Sequence, residues 1–267
     1  MPIPDLSDPL SFLTTLILFF LIICIRYFLF SSLFYLFFHK WYKEKWKIRK
    51  VNSRNYSPIQ FKKEVKWSIL TSLIFALSAC VVLLMWQKGF TKIYTGIDDY
   101  GWIYLPFSLL ILLFLHESYY YWLHRWMHLP GIFRVIHKIH HESNITSPFT
   151  AFSFHPIESF LQAIFIPIII LILPLHFSVI IFLVIFMTIT SMINHLDIEI
   201  YSQKFSRNFL GKWLIGATHH SLHHMEFKFN FGLYFTFWDK IHRTESKKFH
   251  PLFDKLSAEE STTTDGS

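Results

Sequence analysis

The sequence predicts an all-α, polytopic membrane protein with about four to five membrane segments, two of them paired as a hairpin, and a histidine-rich cap on one side. Three observations carry this reading. Of 267 residues, 52% are hydrophobic and 19% aromatic, and only 16% are charged, less charge than a soluble domain of this length carries. The apolar residues fall in long runs instead of the interrupted pattern of a folded surface. The chain also holds 16 histidines, and those between His116 and His224 recur at short spacings.

The first apolar run extends from about Leu10 to Phe38, interrupted by Arg26. It is too long for a secretory signal and lacks a basic leading region and a small-residue cleavage site, so it reads as a transmembrane helix. Arg26 is expected to snorkel towards headgroups. Ten basic residues follow between Lys40 and Lys66, opposed only by Glu44 and Glu64. The excess of lysine and arginine places this loop in the cytoplasm and the N-terminus outside.

A second span is expected from about Trp67 to Trp86, with the short loop through Asp98 and Asp99 outside. A third begins near Gly101 and continues as helix through Leu115 towards His128, returning the chain to the cytoplasm. The region from about Ile157 to Ile193 is too long for one ordinary span and contains Pro167 and Pro174. A helical hairpin entering and leaving on the cytoplasmic side fits, with two shallow re-entrant helices as the alternative.

The formal net charge of +7 lies beside apolar runs, where it orients helices and attracts anionic lipid headgroups. No nucleic-acid-binding motif accompanies it. Cys24 and Cys80 both sit inside apolar runs, which excludes a cysteine-ligated iron–sulfur cluster or a zinc ribbon and argues against a disulfide framework.

The histidines occur as His124-Arg-Trp-Met-His128, His137-Lys-Ile-His140-His141, Asn194-His195 and His219-His220-Ser-Leu-His223-His224. Spacings of three and four put imidazoles one turn apart on one helical face, where two can converge on one metal ion. Glu117 shares the stripe of His124 and His128, where it could accept a proton from a ligand imidazole or bind metal itself. A catalytic zinc uses about three protein ligands and a structural zinc four. The clustered histidines exceed that, and two metals with open positions account for them. Nitrogen ligation without thiolate is compatible with iron, zinc or copper. His155, in His-Pro-Ile-Glu158, and His219 are candidates for either direct or supporting roles, and His116 falls about 80° off the stripe.

These residues together resemble the sterol desaturase and fatty acid hydroxylase superfamily of membrane-bound oxygenases. The resemblance runs from about Leu115 to Thr244. It takes in Glu117, Tyr120-Tyr121-Trp122-Leu123-His124-Arg125, His128, His137 to His141, Ser143, Pro148 and His155 to Glu158. It continues through Asn194-His195, His220 to His224, Asn230 to Phe235, Trp238-Asp239 and Thr244. It implies a helical membrane anchor, a cytoplasmic histidine-coordinated di-iron site, and oxygen-dependent attack on a C–H bond of a lipid chain or sterol ring. Zinc can occupy such sites in isolated proteins. Metal ligands are expected at His124, His128, His137, His140, His141, His195, His219, His220, His223 and His224. Catalytic roles are expected for Glu117 and Asn194, and supporting roles for His155, Glu199 and Asp239. Some branches carry a histidine where this chain has Glu199, and many have a small residue where it has His242-Arg243.

The expected domain plan is residues 1–100 as transmembrane helices and basic loop, 101–250 as the hydroxylase/desaturase region, and 251–267 as a polar disordered tail. Partners expected are a lipid substrate from the bilayer, surrounding membrane lipids and a separate electron-transfer protein, because no Gly-x-Gly-x-x-Gly, Cys-x-x-Cys or haem motif is visible. No nucleic acid is expected. Two other readings are a zinc hydrolase and a metal transporter or buffer. The first predicts His-Glu-x-x-His, which is absent. The second predicts ligands at mid-membrane, whereas these boxes lie at span ends and beyond.

Overall fold

The computed structural model describes residues 4–54 and 56–258. The chain opens with α1 (Pro9–Tyr35), the one-turn α2 (Lys43–Trp46), and the long α3 (Pro58–Gln87) and α4 (Tyr104–Met127). Short α5 (Pro130–Ile132) and α6 (Lys138–His141) follow, joined by a π-turn at Phe133–His137. The predicted hairpin is α7 (Pro156–Ala163) and α8 (Phe165–Ile172) returning as α9 (Phe177–Asn194). Then come α10 (Gln203–Ser206), α11 (Ala217–Glu226), α12 (Phe237–Ile241) and α13 (Phe249–Ser257).

The starts of α1, α3 and α7 share one local cause. Asp8, Ser57 and His155 each accept a hydrogen bond from an amide of the first turn, and each is followed by proline. A side-chain acceptor satisfies an otherwise free donor, and proline at the first helical position has none to satisfy. His155 therefore acts as a helix cap, with Ile157 N donating to its Nδ1 at 3.2 Å. It joins neither histidine group.

Two sets of contacts define the two ends of the bundle. At one end Leu6 N donates to Gln87 Oε1 at 3.1 Å, and Gln87 Nε2 donates to Pro4 O at 2.6 Å. There β1 (Ile93–Tyr94), after α3, pairs in parallel with β2 (Leu175–His176) at the hairpin tip. Tyr104 at the start of α4 donates its hydroxyl to Pro174 O at 3.1 Å. The hairpin tip therefore lies at the end of the bundle that holds the connection from α3 to α4. At the other end His39 Nε2 lies 2.9 Å from Leu196 O, and Val51 N donates to Asp197 O at 2.9 Å. The predicted histidine boxes gather at this second end.

Among the described residues, three helices are long and apolar enough to cross a membrane: Pro9–Trp41, Pro58–Gln87 and Phe177–Asn194. Helix α4 is 24 residues long but is not among them, because its second half exchanges apolar residues for His116, Glu117, His124 and Arg125. Pro156–Ile172 is a shorter apolar helix. Arg26 turns inward instead of snorkelling, with its guanidinium 6.0 Å from the Phe152 ring centroid.

Two of the three apolar clusters among the described residues hold the long helices together. One joins Leu112 of α4 to Phe165, Ile169 and Ile170 of α8 and to Val179, Ile180 and Leu183 of α9. The other packs Ile23 and Tyr27 of α1 and Ala76 of α3 against Phe149, Phe152 and Met192. In the polar cap α13 extends into the stretch expected to be a disordered tail from residue 251. Its apolar face buries Phe253 and Leu256, and that burial orders it through Ser257. The rest of the expected tail, residues 259–267, lies outside the described residues.

Candidate metal centre

Helix α4 delivers His124 and, at its C-cap, His128. The π-turn and α6 deliver His137, His140 and His141, the C-cap of α9 delivers His195, and α11 delivers His220, His223 and His224. These nine imidazoles form two groups, in each of which the ligand atoms all lie within 4.8 Å of one another. One is His124, His128, His137, His141 and His223; the other is His140, His195, His220 and His224. Each H-x-x-H-H box serves both groups. His137 and His141, one turn apart, join the first group while His140 joins the second; His220 and His224 join the second while His223 joins the first.

The distances suit coordination. In the first group Nε2 of His124 and His137 are 3.1 Å apart, as are those of His128 and His223 and of His223 and His141. In the second group the corresponding separations are 3.3 Å for His195 and His140, 2.9 Å for His220 and His195, and 3.2 Å for His224 and His220. Two nitrogens bound at right angles to one metal, each about 2.1 Å from it, stand about 3.0 Å apart.

The other ring nitrogen decides which atom is free to bind. Nδ1 of His124 faces Phe231 O at 2.9 Å, that of His195 faces Ser191 O at 2.8 Å, and that of His223 faces Phe229 O at 2.7 Å. Nδ1 of His140 faces Ser153 O at 3.3 Å, and that of His137 faces Glu158 Oε1 at 2.9 Å. All five partners are acceptors, so Nδ1 carries the proton and Nε2 presents a bare lone pair. Lone pairs crowded at about 3 Å repel unless a cation lies among them, and the donor set therefore fits a metal ion in each group.

Three residues expected to act at the metals are placed elsewhere. Glu117 touches no histidine; its carboxylate accepts Leu233 N at 3.0 Å and Tyr234 N at 2.7 Å. Asp239 accepts Phe231 N and Gly232 N, each at 2.9 Å, and Asn194 Nδ2 donates to Leu233 O at 2.8 Å. All three hold one loop, Phe229–Tyr234, whose carbonyls orient His124 and His223. Gly232 permits this close approach, since a Cβ there would stand 2.6 Å from Phe235 O. The loop draws the carboxylate of Glu117 because buried backbone donors need acceptors.

His219 also differs from expectation. It is fully buried but lies about 100° round α11 from His220, its ring 5.4 Å from that of Phe249, and it belongs to neither group. Glu199 binds no metal group either. It accepts Tyr201 N at 2.9 Å and Thr218 N at 3.0 Å, capping the helix that carries three ligands.

Sequence reasoning missed two supporting carboxylates. Glu158 orients His137, and its place in His-Pro-Ile-Glu was the available signal. Glu64 does more than oppose the basic residues of its loop. It is buried in α3 and accepts from Gln60 Nε2 at 2.7 Å, from Thr150 Oγ1 at 2.9 Å and from the Tyr56 hydroxyl. It thereby fixes the turn leading to Ser153, the partner of His140.

Residues 109–244 match the sequence model of the fatty acid hydroxylase family. The chain belongs to this family. It is 32% identical to lathosterol oxidase of Mus musculus over 185 residues, 68% of this chain and 60% of that protein. It is 28% identical to a Delta(7)-sterol 5(6)-desaturase of Gibberella zeae over 200 residues, covering 74% and 60% respectively. With the corresponding enzyme of Saccharomyces cerevisiae it shares 29% over 205 residues, 76% and 54%. The matched stretch thus spans little more than half of each relative. No solved structure matches.

In this fatty acid hydroxylase family member, burial keeps the cap histidines neutral. Desolvation, then neighbouring imidazoles, hold His137, His140, His141, His220, His223 and His224 well below the ordinary histidine range. Desolvation brings His195 to about 4 and His219 to about 3. Neutral imidazole is the form that binds metal.

Proposed function

We propose that this chain is a membrane-bound non-haem di-iron oxidoreductase that uses O2 to hydroxylate or desaturate a C–H bond of a lipid. A sterol or related lipid is favoured over a simple acyl chain by the activities named for its relatives. The observation that carries the reading is the convergence of nine imidazoles in two groups, five of them with Nδ1 held against an acceptor. Zinc fits the same nitrogen ligands but has no redox chemistry; oxidation of a lipid requires a metal such as iron.

Five histidines would hold one iron and four the other, and the pair, when reduced, would supply the O2-activating chemistry that removes hydrogen from the lipid. The chain's own residues do the rest. Glu158 and the carbonyls of Ser153, Ser191, Phe229 and Phe231 keep Nε2 of five ligands aimed inward. Glu117, Asp239 and Asn194 fix the loop that carries two of those carbonyls, and Glu199 fixes the start of α11. Tyr120, buried with its ring 5.2 Å from that of His124, helps exclude water on the bundle side. Electrons come from a separate protein, and the basic loop after α1 sets the site on the cytoplasmic face with the N-terminus outside.

Lipid profiles of cells with and without the protein test this reading, with His140→Ala and His223→Ala as controls. A new hydroxylated or desaturated lipid that disappears in both variants is expected. Full activity in both variants, or turnover of purified protein with O2 and no reductant, would sink it.

A further inference from the structure

Helix α4 carries its own depth scale. Phe107, Leu110, Phe114, Trp122 and Trp126 are exposed large side chains recurring every three to four residues or at twice that interval, so they form one outward stripe. From Phe107 to Trp126 the helix rises about 28 Å, close to the roughly 30 Å of a bilayer's hydrocarbon core. Trp126 ends that stripe, and His124 and His128 bracket it.

The stripe does not stop where the helix does. Leu129 is 52% exposed and Val135 62% exposed, both on the connection from α4 to α6. Exposed branched aliphatics on a polar cap are expensive in water and stable at a lipid boundary. Cations flank them. Arg125 lies 5.7 Å over the Trp122 ring, and Arg125, Arg134 and Lys138 are exposed and form no salt bridge among the described residues. The neighbouring acid Glu142 is already paired with Lys63. An outward apolar edge, tryptophans and uncompensated cations at one level match the boundary of a membrane with anionic headgroups.

We propose that the α4–α6 connection is seated in the headgroup layer of an anionic bilayer, with Leu129 and Val135 among acyl chains and Arg125, Arg134 and Lys138 on lipid phosphates. His128 is the one imidazole of the nine that is not fully buried, and it adjoins Leu129. The approach to the metal groups then opens on lipid instead of water; this consequence rests on the function proposed above, whereas the seating does not.

The full-length protein, with Cys24→Ser and Cys80→Ala, is labelled with an environment-sensitive fluorophore at Val135→Cys, at Leu129→Cys, or at Lys255→Cys on α13. It is reconstituted in phosphatidylcholine vesicles with and without phosphatidylglycerol. Nitroxide-bearing lipid should quench the Val135 and Leu129 probes at least about threefold more than the Lys255 probe. Adding phosphatidylglycerol should strengthen quenching at Val135→Cys, and Arg134→Gln with Lys138→Gln should abolish that gain. Equal quenching of all three probes by aqueous iodide overturns the proposal and leaves the surface to a soluble partner. Quenching indifferent to phosphatidylglycerol overturns the assignment of the cations to phosphate. Neither outcome depends on iron, O2 or turnover, so failure here is distinct from failure of the proposed function.

Discussion

His140 and His141 are neighbours in the chain yet serve different histidine groups, their ring centroids 5.8 Å apart and their planes at 88°. His223 and His224 repeat the relationship at 5.9 Å and 87°. Successive residues on a helix point about 100° apart, so adjacent histidines cannot both face one group.

That division predicts separable losses. His140→Ala should lose the metal of the four-histidine group and keep the other, and His141→Ala should weaken the five-histidine group. Metal-to-protein ratios by elemental analysis should fall from about two to about one in His140→Ala, with a smaller loss in His141→Ala because four imidazoles remain. An equal and complete loss in both would mean that the two groups act as one centre.

Glu158→Gln tests the orienting role of a carboxylate missed from sequence. The amide oxygen can still accept from His137 Nδ1 but without charge, and outer partners of this kind alter metal affinity by about 10–100-fold when changed. Competition titration with a chelator should show a loss in that range. Unchanged affinity would remove Glu158 from the account.

Glu117→Ala leaves two buried amides, Leu233 N and Tyr234 N, without their acceptor. Each such orphan costs about 1–3 kcal/mol, so thermal unfolding should shift down markedly while metal ligands remain present. Asp239→Ala acts on the same loop, and the double variant should cost less than the sum of the single ones. Strict additivity would show that the loop is not a shared element.

His219→Leu should leave metal content unchanged, because its ring faces Phe249 and both ring nitrogens lack hydrogen-bond partners in a buried site. Loss of one metal equivalent in this variant would restore His219 as a ligand.

Acidification should both destabilise the cap and release metal. The buried histidines are held neutral in the fold, His195 to about 4 and His219 to about 3, whereas unfolded histidines titrate near 6.5. Below that value the unfolded chain binds more protons, so stability falls as pH drops from about 6.5 towards the folded values, by up to about 1.4 kcal/mol per pH unit for each such group. Asp239 opposes this. Burial raises it to about 6, and it likewise raises Asp197 to about 7 and lifts Glu199, so these carboxyls take their protons first in the fold, but the buried imidazoles outnumber them. Melting temperature of metal-free protein should be higher at pH 7.5 than at pH 5.5; the reverse order would contradict the burial of neutral imidazoles.

The sequence by itself determined the class of the fold and which histidines share a helical face. Long apolar runs have few stable states outside a bilayer, and helical spacing of three and four fixes which histidines share a face, whatever packs against them. Those properties are local, and nine of the ten histidines in question lie in the two groups. What the tertiary structure decided is non-local: how the boxes divide between two groups, and what each carboxylate touches. Glu117 lies on the histidine stripe, but two amides of a loop more than a hundred residues away claim it. His219 sits in a histidine box, but its rotation on α11 turns it to Phe249. Glu64 looks like a counter-charge in a basic loop, and only the packing of α3 against the Ser147–Thr150 turn adds Ser147 and Thr150 to its local partners Tyr56 and Gln60. Side-chain direction and spacing are written in the chain; the competition of buried donors for acceptors is settled only when the helices meet.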